Sequence, residues 1–235
     1  MTDSDVSIIV PTKNEESIVS KNLEKIYEYA KKCNLIDRFE ILVCDFSNDS
    51  TPEKVKTISK KLKEVRYVLV KKSGIGAGLK AGFSEARFDV MIFYPIDMSW
   101  DMTVIENSLT CLRDGWDVIL GSRGASGSEV KRALNRRFFS FFYNAMLHLF
   151  FGIEIKDTQG TIAIRKRDFV AYRGDLMFDD PFLQTELLIH SKIMGLRIKE
   201  IPVTVIDTRK ESKINPIKIG ISMMSSVIRK YFYMK

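Results

Sequence analysis

Cysteine is scarce in this chain of 235 residues, and the three cysteines lie far apart. Cys33, Cys44 and Cys111 are odd in number and form no C-x-x-C pair, so they predict neither a disulfide framework nor a zinc site. Such cysteine usage is typical of proteins from a reducing compartment, which favours the cytoplasm.

Long apolar runs are missing as well. The longest stretch without a formal charge, residues 138–153, has sixteen residues, whereas a helix that spans a bilayer needs roughly 20. The apolar stretch at residues 6–11 is too short for the core of a signal peptide, and acidic residues precede it. These short apolar runs predict a chain that does not cross a membrane. Because no Gly/Ser/Pro-rich linker interrupts the chain, we expect one large domain.

Positive charge is abundant but unevenly distributed. The formal net charge is +7, of which residues 121–140 carry +4 and residues 209–235 carry +6, so the remainder of the chain sums to −3. A nucleic-acid-binding protein would combine its charge with a reading helix or a platform of stacking aromatic side chains, and the sequence indicates neither. We therefore predict no nucleic-acid partner and expect the two basic segments to meet phosphates or an anionic surface.

Short apolar runs rich in β-forming residues alternate with segments of helical period. This alternation predicts an α/β fold with a mostly parallel sheet and helices on both faces. We expect one domain over residues 1–207 and a basic amphipathic tail over residues 208–235. The predicted strands cover residues 6–10, 39–44, 66–70, 90–94, 117–121, 161–166 and 198–206, and the predicted helices cover residues 15–32, 52–63, 78–86, 102–113, about 134–152 and 182–195.

Three charged residues follow strands at the edge where such sheets bind ligands, the carboxyl ends of the strands. Asp45 ends the second predicted strand, where a carboxylate accepts hydrogen bonds from a base or a ribose. Asp97 follows the fourth strand, where a carboxylate suits a hard cation on a diphosphate. Arg123 follows the fifth strand and offers a guanidinium fork for phosphate oxygens. Helix capping and turn chemistry alone also account for Glu15 and for the polar residues after Asp45.

A glycine segment, residues 74–78, follows the third predicted strand and permits a close approach of the backbone to another group. It matches neither a P-loop nor a dinucleotide fingerprint, because the required lysine and glycine spacing are absent.

Taken in order, these loops resemble the family 2 glycosyltransferases of the GT-A fold, and among them the polyprenyl-phosphate (dolichol-phosphate) mannose or glucose synthases. The resemblance covers residues 6–213. The pieces that carry it are Ile8–Glu15, Asp45–Thr51, Gly74–Gly78, Asp97, Gly121–Arg123, Arg136 four residues before Ser140, Asp157–Gly160, Glu186, Glu200–Pro202, and Arg209 with Ser212 and Lys213.

The resemblance implies an enzyme that moves mannose or glucose from GDP-mannose or UDP-glucose to a polyprenyl or dolichyl phosphate, with inversion at the anomeric carbon. It implies a Mg²⁺ or Mn²⁺ ion held by Asp97 and Ser99, and an enzyme peripheral to the cytoplasmic face of a membrane. The catalytic residues that it implies are Asp97, Arg123 and Arg136. The implied substrate-binding residues are Pro11, Lys13, Glu15, Asp45, Ser47, Arg137, Asp157, Gln159, Glu186, Arg209 and Lys213.

The chain departs from the family pattern at the acidic motif. Pro95 and Ser99 stand where the family has a second aspartate and a glutamine, and Cys44 replaces an acid before Asp45. These departures predict a weakened metal site. They also leave open a second hypothesis, a non-catalytic glycosyltransferase fold that binds a nucleotide sugar or a lipid for a partner protein.

Two amphipathic segments flank the basic charge. The first is aromatic-rich and covers residues 138–151, and in the tail apolar residues recur at helical spacing. Basic amphipathic helices of this kind lie at anionic bilayer surfaces, so we predict a membrane-surface contact. Packing of both helices in the core or in a homo-oligomer is the alternative.

Overall fold

The computed structural model describes residues 4–129, 134–205 and 216–235 of the chain. Its strands are β1 (Asp5–Thr12), β2 (Arg38–Asp45), β3 (Val65–Leu69), β4 (Val90–Phe93), β5 (Val118–Ser122), β6 (Ile162–Arg165) and β7 (Ile198–Pro202). Its helices are α1 (Val19–Lys32), α2 (Thr51–Lys61), α3 (Ile75–Glu85), α4 (Thr103–Arg113), α5 (Leu134–Phe151), α6 (Lys166–Tyr172), α7 (Phe182–Ile193) and α8 (Pro216–Tyr233), with a 3₁₀ turn at Arg173–Asp175.

The strands form one seven-stranded sheet in the order β3-β2-β1-β4-β6-β5-β7. Strand β6 runs antiparallel to both of its neighbours, and the other strand pairs are parallel. The prediction of a mostly parallel α/β sheet is therefore confirmed. The sequence pattern located β6 but did not give its direction, because direction depends on the path of the chain and not on local periodicity.

Helices cover both faces of the sheet, as predicted. One core cluster includes apolar side chains of α3, α5, α6, α7 and α8, and the other includes those of α1, α2 and α4. Strand β1 lies between β2 and β4, and all eight of its residues are buried. This full burial explains why β1 contains the apolar run Ile8–Pro11 and does not alternate strictly between apolar and polar residues.

The C-terminal helix α8 packs against the body of the domain. Its residue Val227 is fully buried in the same core as Leu147 of α5. The Tyr231 ring lies 4.7 Å from the Phe150 ring and 6.2 Å from the Phe151 ring, measured between centroids. Among the described residues, no helix has the length and hydropathy needed to cross a bilayer.

The strand register brings the loops that follow β1 and β2 together. Residue Pro11 is paired with Cys44 and Thr12 with Asp45, so β1 and β2 end side by side. Strand β4 ends on the other side of β1. The loops after β1, β2 and β4 therefore share one edge of the sheet.

Candidate active site

Asp45 joins the loops that follow β1 and β2. Its carboxylate is buried, and Oδ1 accepts hydrogen bonds from the Thr12 hydroxyl at 2.8 Å and the Ser47 hydroxyl at 2.6 Å. The backbone N–H of Ser47 donates a longer bond of 3.4 Å to Oδ2. Burial, and then the charge of Asp45, raise the pKa of the Tyr67 phenol on β3. Asp45 and Ser47 thus lie together at the end of the sheet.

The loop after β1 is held against the loop after β2 by reciprocal bonds. Asn14 has a φ of 54°, a left-handed conformation that asparagine tolerates. Its backbone N–H donates to the Ser47 hydroxyl at 2.7 Å, and its side-chain oxygen accepts from the Asn48 N–H at 2.9 Å. The N–H of Glu15 donates to the Thr51 hydroxyl at 2.9 Å. These bonds give the two loops one fixed arrangement.

Pro11 and Lys13 line the same edge. The ammonium of Lys13 lies 5.8 Å from the centre of the Phe46 ring, which places a cation beside the Asp45 loop. On the other side of Pro11 is α3, where a Cβ built on Gly78 would stand 3.1 Å from the Pro11 Cβ. The structure therefore brings Pro11, Lys13, Asp45 and Ser47 together.

The glycine segment approaches protein backbone closely. The N–H of Ala77 donates to the carbonyl oxygen of Asp179 at 3.0 Å. A Cβ built on Gly74 would overlap the same oxygen, and one built on Gly76 would overlap the Asp180 carbonyl oxygen. Contact with residues 179–180 therefore accounts for Gly74 and Gly76 within the protein itself.

Asp97 lies at the carboxyl end of the sheet, after β4, and is partly buried. Its Oδ1 accepts a hydrogen bond from the Ser99 N–H at 3.1 Å across a tight turn in which Met98 has a φ of 52°. Within the part of the chain that the structure describes, no three His, Cys, Asp or Glu side chains converge as metal ligands. One carboxylate is nevertheless compatible with Mg²⁺, which proteins often bind through one or two carboxylates together with phosphate oxygens and water.

Arg123 is paired with Asp157. Its Nε and Nη2 donate to the two carboxylate oxygens at 2.6 and 2.9 Å, and its backbone N–H donates at 3.0 Å. Burial alone would raise the pKa of Asp157, but the hydrogen bonds and charge of Arg123 outweigh burial, so the pKa is lowered. The Trp100 ring lies 5.6 Å from the guanidinium. Much of the fork that the sequence assigned to phosphate is thus engaged with a protein carboxylate.

A buried polar network extends from this pair. The N–H of Gln159 donates to Asp157 at 3.2 Å, and the Gln159 amide reaches the Thr185 hydroxyl at 3.4 Å. Thr185 also donates to the Thr158 hydroxyl at 2.9 Å and shares a 2.6 Å hydrogen bond with the Tyr143 hydroxyl. Sequence reasoning missed Tyr143 and Thr185, because they lie 42 residues apart on α5 and α7 and helical periodicity does not show which polar side chains meet in the core.

Glu186 has a different set of partners. Its carboxylate is fully buried and accepts hydrogen bonds from the N–H groups of Met177 and Phe178 at 2.9 to 3.1 Å. The Lys230 ammonium lies 2.8 Å from its Oε1. None of these partners is a substrate-binding residue predicted from the sequence, so its contacts lend no support to that role.

Four cationic residues predicted to bind phosphate have side chains outside the described part of the chain. Arg136 and Arg137 belong to α5, but their side chains lie outside the described residues, as do Arg209 and Lys213. The described chain after β7 contacts the segment between β4 and α4, because the Asp101 N–H donates to the Thr204 carbonyl at 3.0 Å. The roles of the four cations stay predictions.

Comparison with known proteins identifies the class and then the family. Glucosyl-3-phosphoglycerate synthase from Mycobacterium tuberculosis, in complex with UDP, superimposes with a TM-score of 0.70 at 17% identity, over 98% of this chain and 79% of that one. The fold is therefore that of the GT-A glycosyltransferases. The model of glycosyl transferase family 2 matches residues 7–173, so the chain belongs to that family and is a glycosyltransferase.

Two curated relatives come from Haloferax volcanii. The glycosyltransferase AglD is 27% identical over 97% of this chain, which spans 37% of the length of AglD. A dolichyl-phosphate hexose transferase is 26% identical over 97% of this chain and 94% of its own length. A dolichol-phosphate mannosyltransferase from Pyrococcus furiosus is 31% identical over 54% of this chain and 35% of its own length.

Proposed function

We propose that this glycosyltransferase moves a hexose from a nucleotide sugar to a polyprenyl or dolichyl phosphate at a membrane surface. The observation that carries the proposal is the placement of two carboxylates, Asp45 at the end of β2 and Asp97 after β4, on the strands that flank β1 in one sheet. A nucleoside diphosphate that lies across the end of β1 contacts both loops. The names of the Haloferax and Pyrococcus relatives support dolichyl phosphate as the acceptor.

In this proposal the base and ribose of GDP-mannose or UDP-glucose bind beside Pro11, Lys13 and Asp45. Asp97, with Ser99 next to it, holds Mg²⁺ or Mn²⁺ together with diphosphate oxygens. The ion, when bound, neutralises charge on the departing nucleoside diphosphate. Support for a metal comes from a second complex of the Mycobacterium tuberculosis synthase, which contains Mn²⁺ and UDP.

The reaction needs positioning more than a strong base. An ionised oxygen of the acceptor phosphate attacks the anomeric carbon while the bond from that carbon to the diphosphate oxygen breaks, and the nucleoside diphosphate leaves with the electron pair. Because the acceptor phosphate is already anionic at neutral pH, fixed geometry and charge neutralisation supply most of the catalysis. Arg136, Arg137, Arg209 and Lys213 are the cations proposed for these phosphates, and Arg123 positions the Asp157–Gln159 segment.

An exposed apolar stripe on α8 supports the contact with a membrane. Ile221, Ile228 and Phe232 are 60%, 44% and 71% exposed, and their spacing places them on one face of the helix. On α5, Phe142 and Leu149 are 45% and 76% exposed. Large exposed apolar side chains on α8, a helix of the basic tail, and on α5 suit an anionic bilayer surface.

The test is transfer of labelled hexose to a short-chain prenyl phosphate in detergent micelles, with Mg²⁺ or Mn²⁺ and either donor. We expect Asp97→Asn to lower kcat by about 10²-fold or more, since removal of one group that stabilises developing charge typically has this effect. Asp101→Asn is the matched control, because Asp101 caps α4 through the Thr103 N–H at 2.9 Å, a bond that asparagine also accepts.

Two outcomes would contradict the proposal. Folded protein that transfers nothing from either donor and binds neither GDP nor UDP by calorimetry has no nucleotide-sugar site. Protein that binds a donor without turnover, whatever metal is added, matches the non-catalytic hypothesis instead.

A further inference from the structure

A fully buried ion pair connects α8 to α7. The Lys230 ammonium lies 2.8 Å from Oε1 of Glu186, and both side chains are 0% exposed. Removal of two charges from water is costly, and well-packed apolar side chains often stabilise a core as well as or better than such a pair. Stability alone is therefore a weak explanation for charged residues at these two positions.

The pair fixes the segment between the 3₁₀ turn and α7. Lys230 donates to the Asp175 carbonyl oxygen at 3.0 Å. The Glu186 carboxylate accepts from the Met177 N–H at 2.9 and 3.0 Å and from the Phe178 N–H at 3.1 Å. The Lys230 ammonium thus binds the carbonyl at the start of the segment, and the Glu186 carboxylate binds the two N–H groups at its centre.

The same segment supports the first turn of α3. The Asp179 carbonyl accepts the Ala77 N–H at 3.0 Å. The Asp179 carboxylate forms ion pairs with Lys72, at 3.3 Å, and with Lys80, one on each side of the glycine segment. From this turn Gly78 faces Pro11, at 3.1 Å for an added Cβ. Contacts therefore lead in four steps from Lys230 through Glu186, residues 177–180 and α3 to Pro11.

We propose that Lys230 is a positioning residue for the nucleotide sugar. Through Glu186 and residues 175–180, the C-terminal helix sets the first turn of α3 and with it one side of the proposed nucleotide site at Pro11 and Asp45. This inference rests on the proposed function, because it requires a nucleotide at that site. It gives the C-terminal helix a role in donor binding in addition to the membrane contact proposed above.

The experiment compares Lys230→Met with Lys192→Met, the same substitution at an exposed lysine of α7. Donor KM, acceptor KM and the Kd of GDP and UDP are measured well below the thermal midpoint of each variant. We expect Lys230→Met to raise donor KM and the nucleotide Kd by about tenfold, within the usual range for coupled sites, with acceptor KM unchanged. Lys192→Met should match the wild type.

The double variant Glu186→Gln with Lys230→Met separates positioning from stability. It leaves no unpaired charge in the core, so we expect it to recover most of the thermal midpoint lost by Lys230→Met. The bonds that hold residue 175 and the 177–178 backbone stay impaired, so donor KM should stay high. Recovery of donor KM together with the midpoint would overturn the inference, as would normal nucleotide affinity in a folded Lys230→Met. Wild-type protein that binds neither nucleotide would instead refute the proposed function.

Discussion

At the scale of single residues, the hydrogen-bond partners of each side chain determine its orientation and how far its charge is compensated. Arg123 alone is a phosphate-binding candidate, but beside Asp157 its charge is compensated and its fork is oriented toward a carboxylate. Asp45 similarly receives two hydroxyl donors, which fix its orientation at the end of β2. Asp97 keeps the character expected from its position, a carboxylate at a strand end in a tight turn.

Gly160 offers a prediction at the scale of one atom. A Cβ built at Gly160 would overlap the Gly121 carbonyl oxygen, and backbone cannot move aside as a flexible side chain can. We expect Gly160→Ala to reduce the free energy of unfolding by about 2 kcal/mol or more, as overpacking does. Gly174 has nothing within 4 Å of an added Cβ, so Gly174→Ala is the control in urea unfolding. Equal stability of the two variants would contradict the observed packing.

At the scale of elements, α8 combines two roles that sequence analysis set against each other. One face packs in the core through Val227 and the buried Lys230, and another exposes the stripe of Ile221, Ile228 and Phe232. The helix is therefore part of the packed body, and its exposed stripe is the surface that we propose lies on a membrane. Helix α6 was not predicted, because its seven residues are too few for a clear period.

The stripe on α8 can be tested with vesicles that contain an anionic lipid. Ile221→Ser with Phe232→Ser should weaken co-sedimentation by about tenfold or more, since burial of one large apolar side chain contributes roughly 1.5–3 kcal/mol. Val170→Ser with Ile193→Ser is the control, because these side chains are 43% and 59% exposed on α6 and α7. If the wild-type protein does not bind vesicles but dimerises, and the α8 variant is monomeric, the stripe is instead the interface of a homo-oligomer.

For the whole molecule, a buried histidine predicts that the stability of the fold depends on pH. His190 stacks on Tyr172 with ring centres 5.4 Å apart, and its Nε2 is among the buried atoms without a hydrogen-bond partner in the described structure. Burial lowers the pKa of His190, and the charge of Lys230 lowers it further, against opposite effects of Glu186 and Asp175. The folded protein therefore holds His190 neutral at a pH where the unfolded chain begins to bind a proton.

The sign of the pH effect follows from this difference. The contribution of neutral His190 is complete above the unfolded pKa, about 6.5, and is lost as pH falls toward the lower folded pKa. Between these values the free energy of unfolding should fall by up to about 1.4 kcal/mol per pH unit. We expect His190→Phe, which keeps the ring stacking, to flatten this part of the profile in urea unfolding. The same substitution at exposed His148 should leave the slope as in the wild type, and an unchanged slope in His190→Phe would contradict the assignment.

The sequence by itself determined the α/β class, the alternation of elements and the placement of Asp45, Asp97 and Arg123 after strands, because periodicity and turn chemistry are local. Only the tertiary structure decided what these side chains contact. Arg123 meets Asp157 across 34 residues, and Glu186 meets Lys230 across 44. Periodicity assigns no partner to a buried charge; the path of the chain does. For the same physical reason the sequence shows the glycine segment, residues 74–78, but only the packing shows its neighbours, residues 179–180.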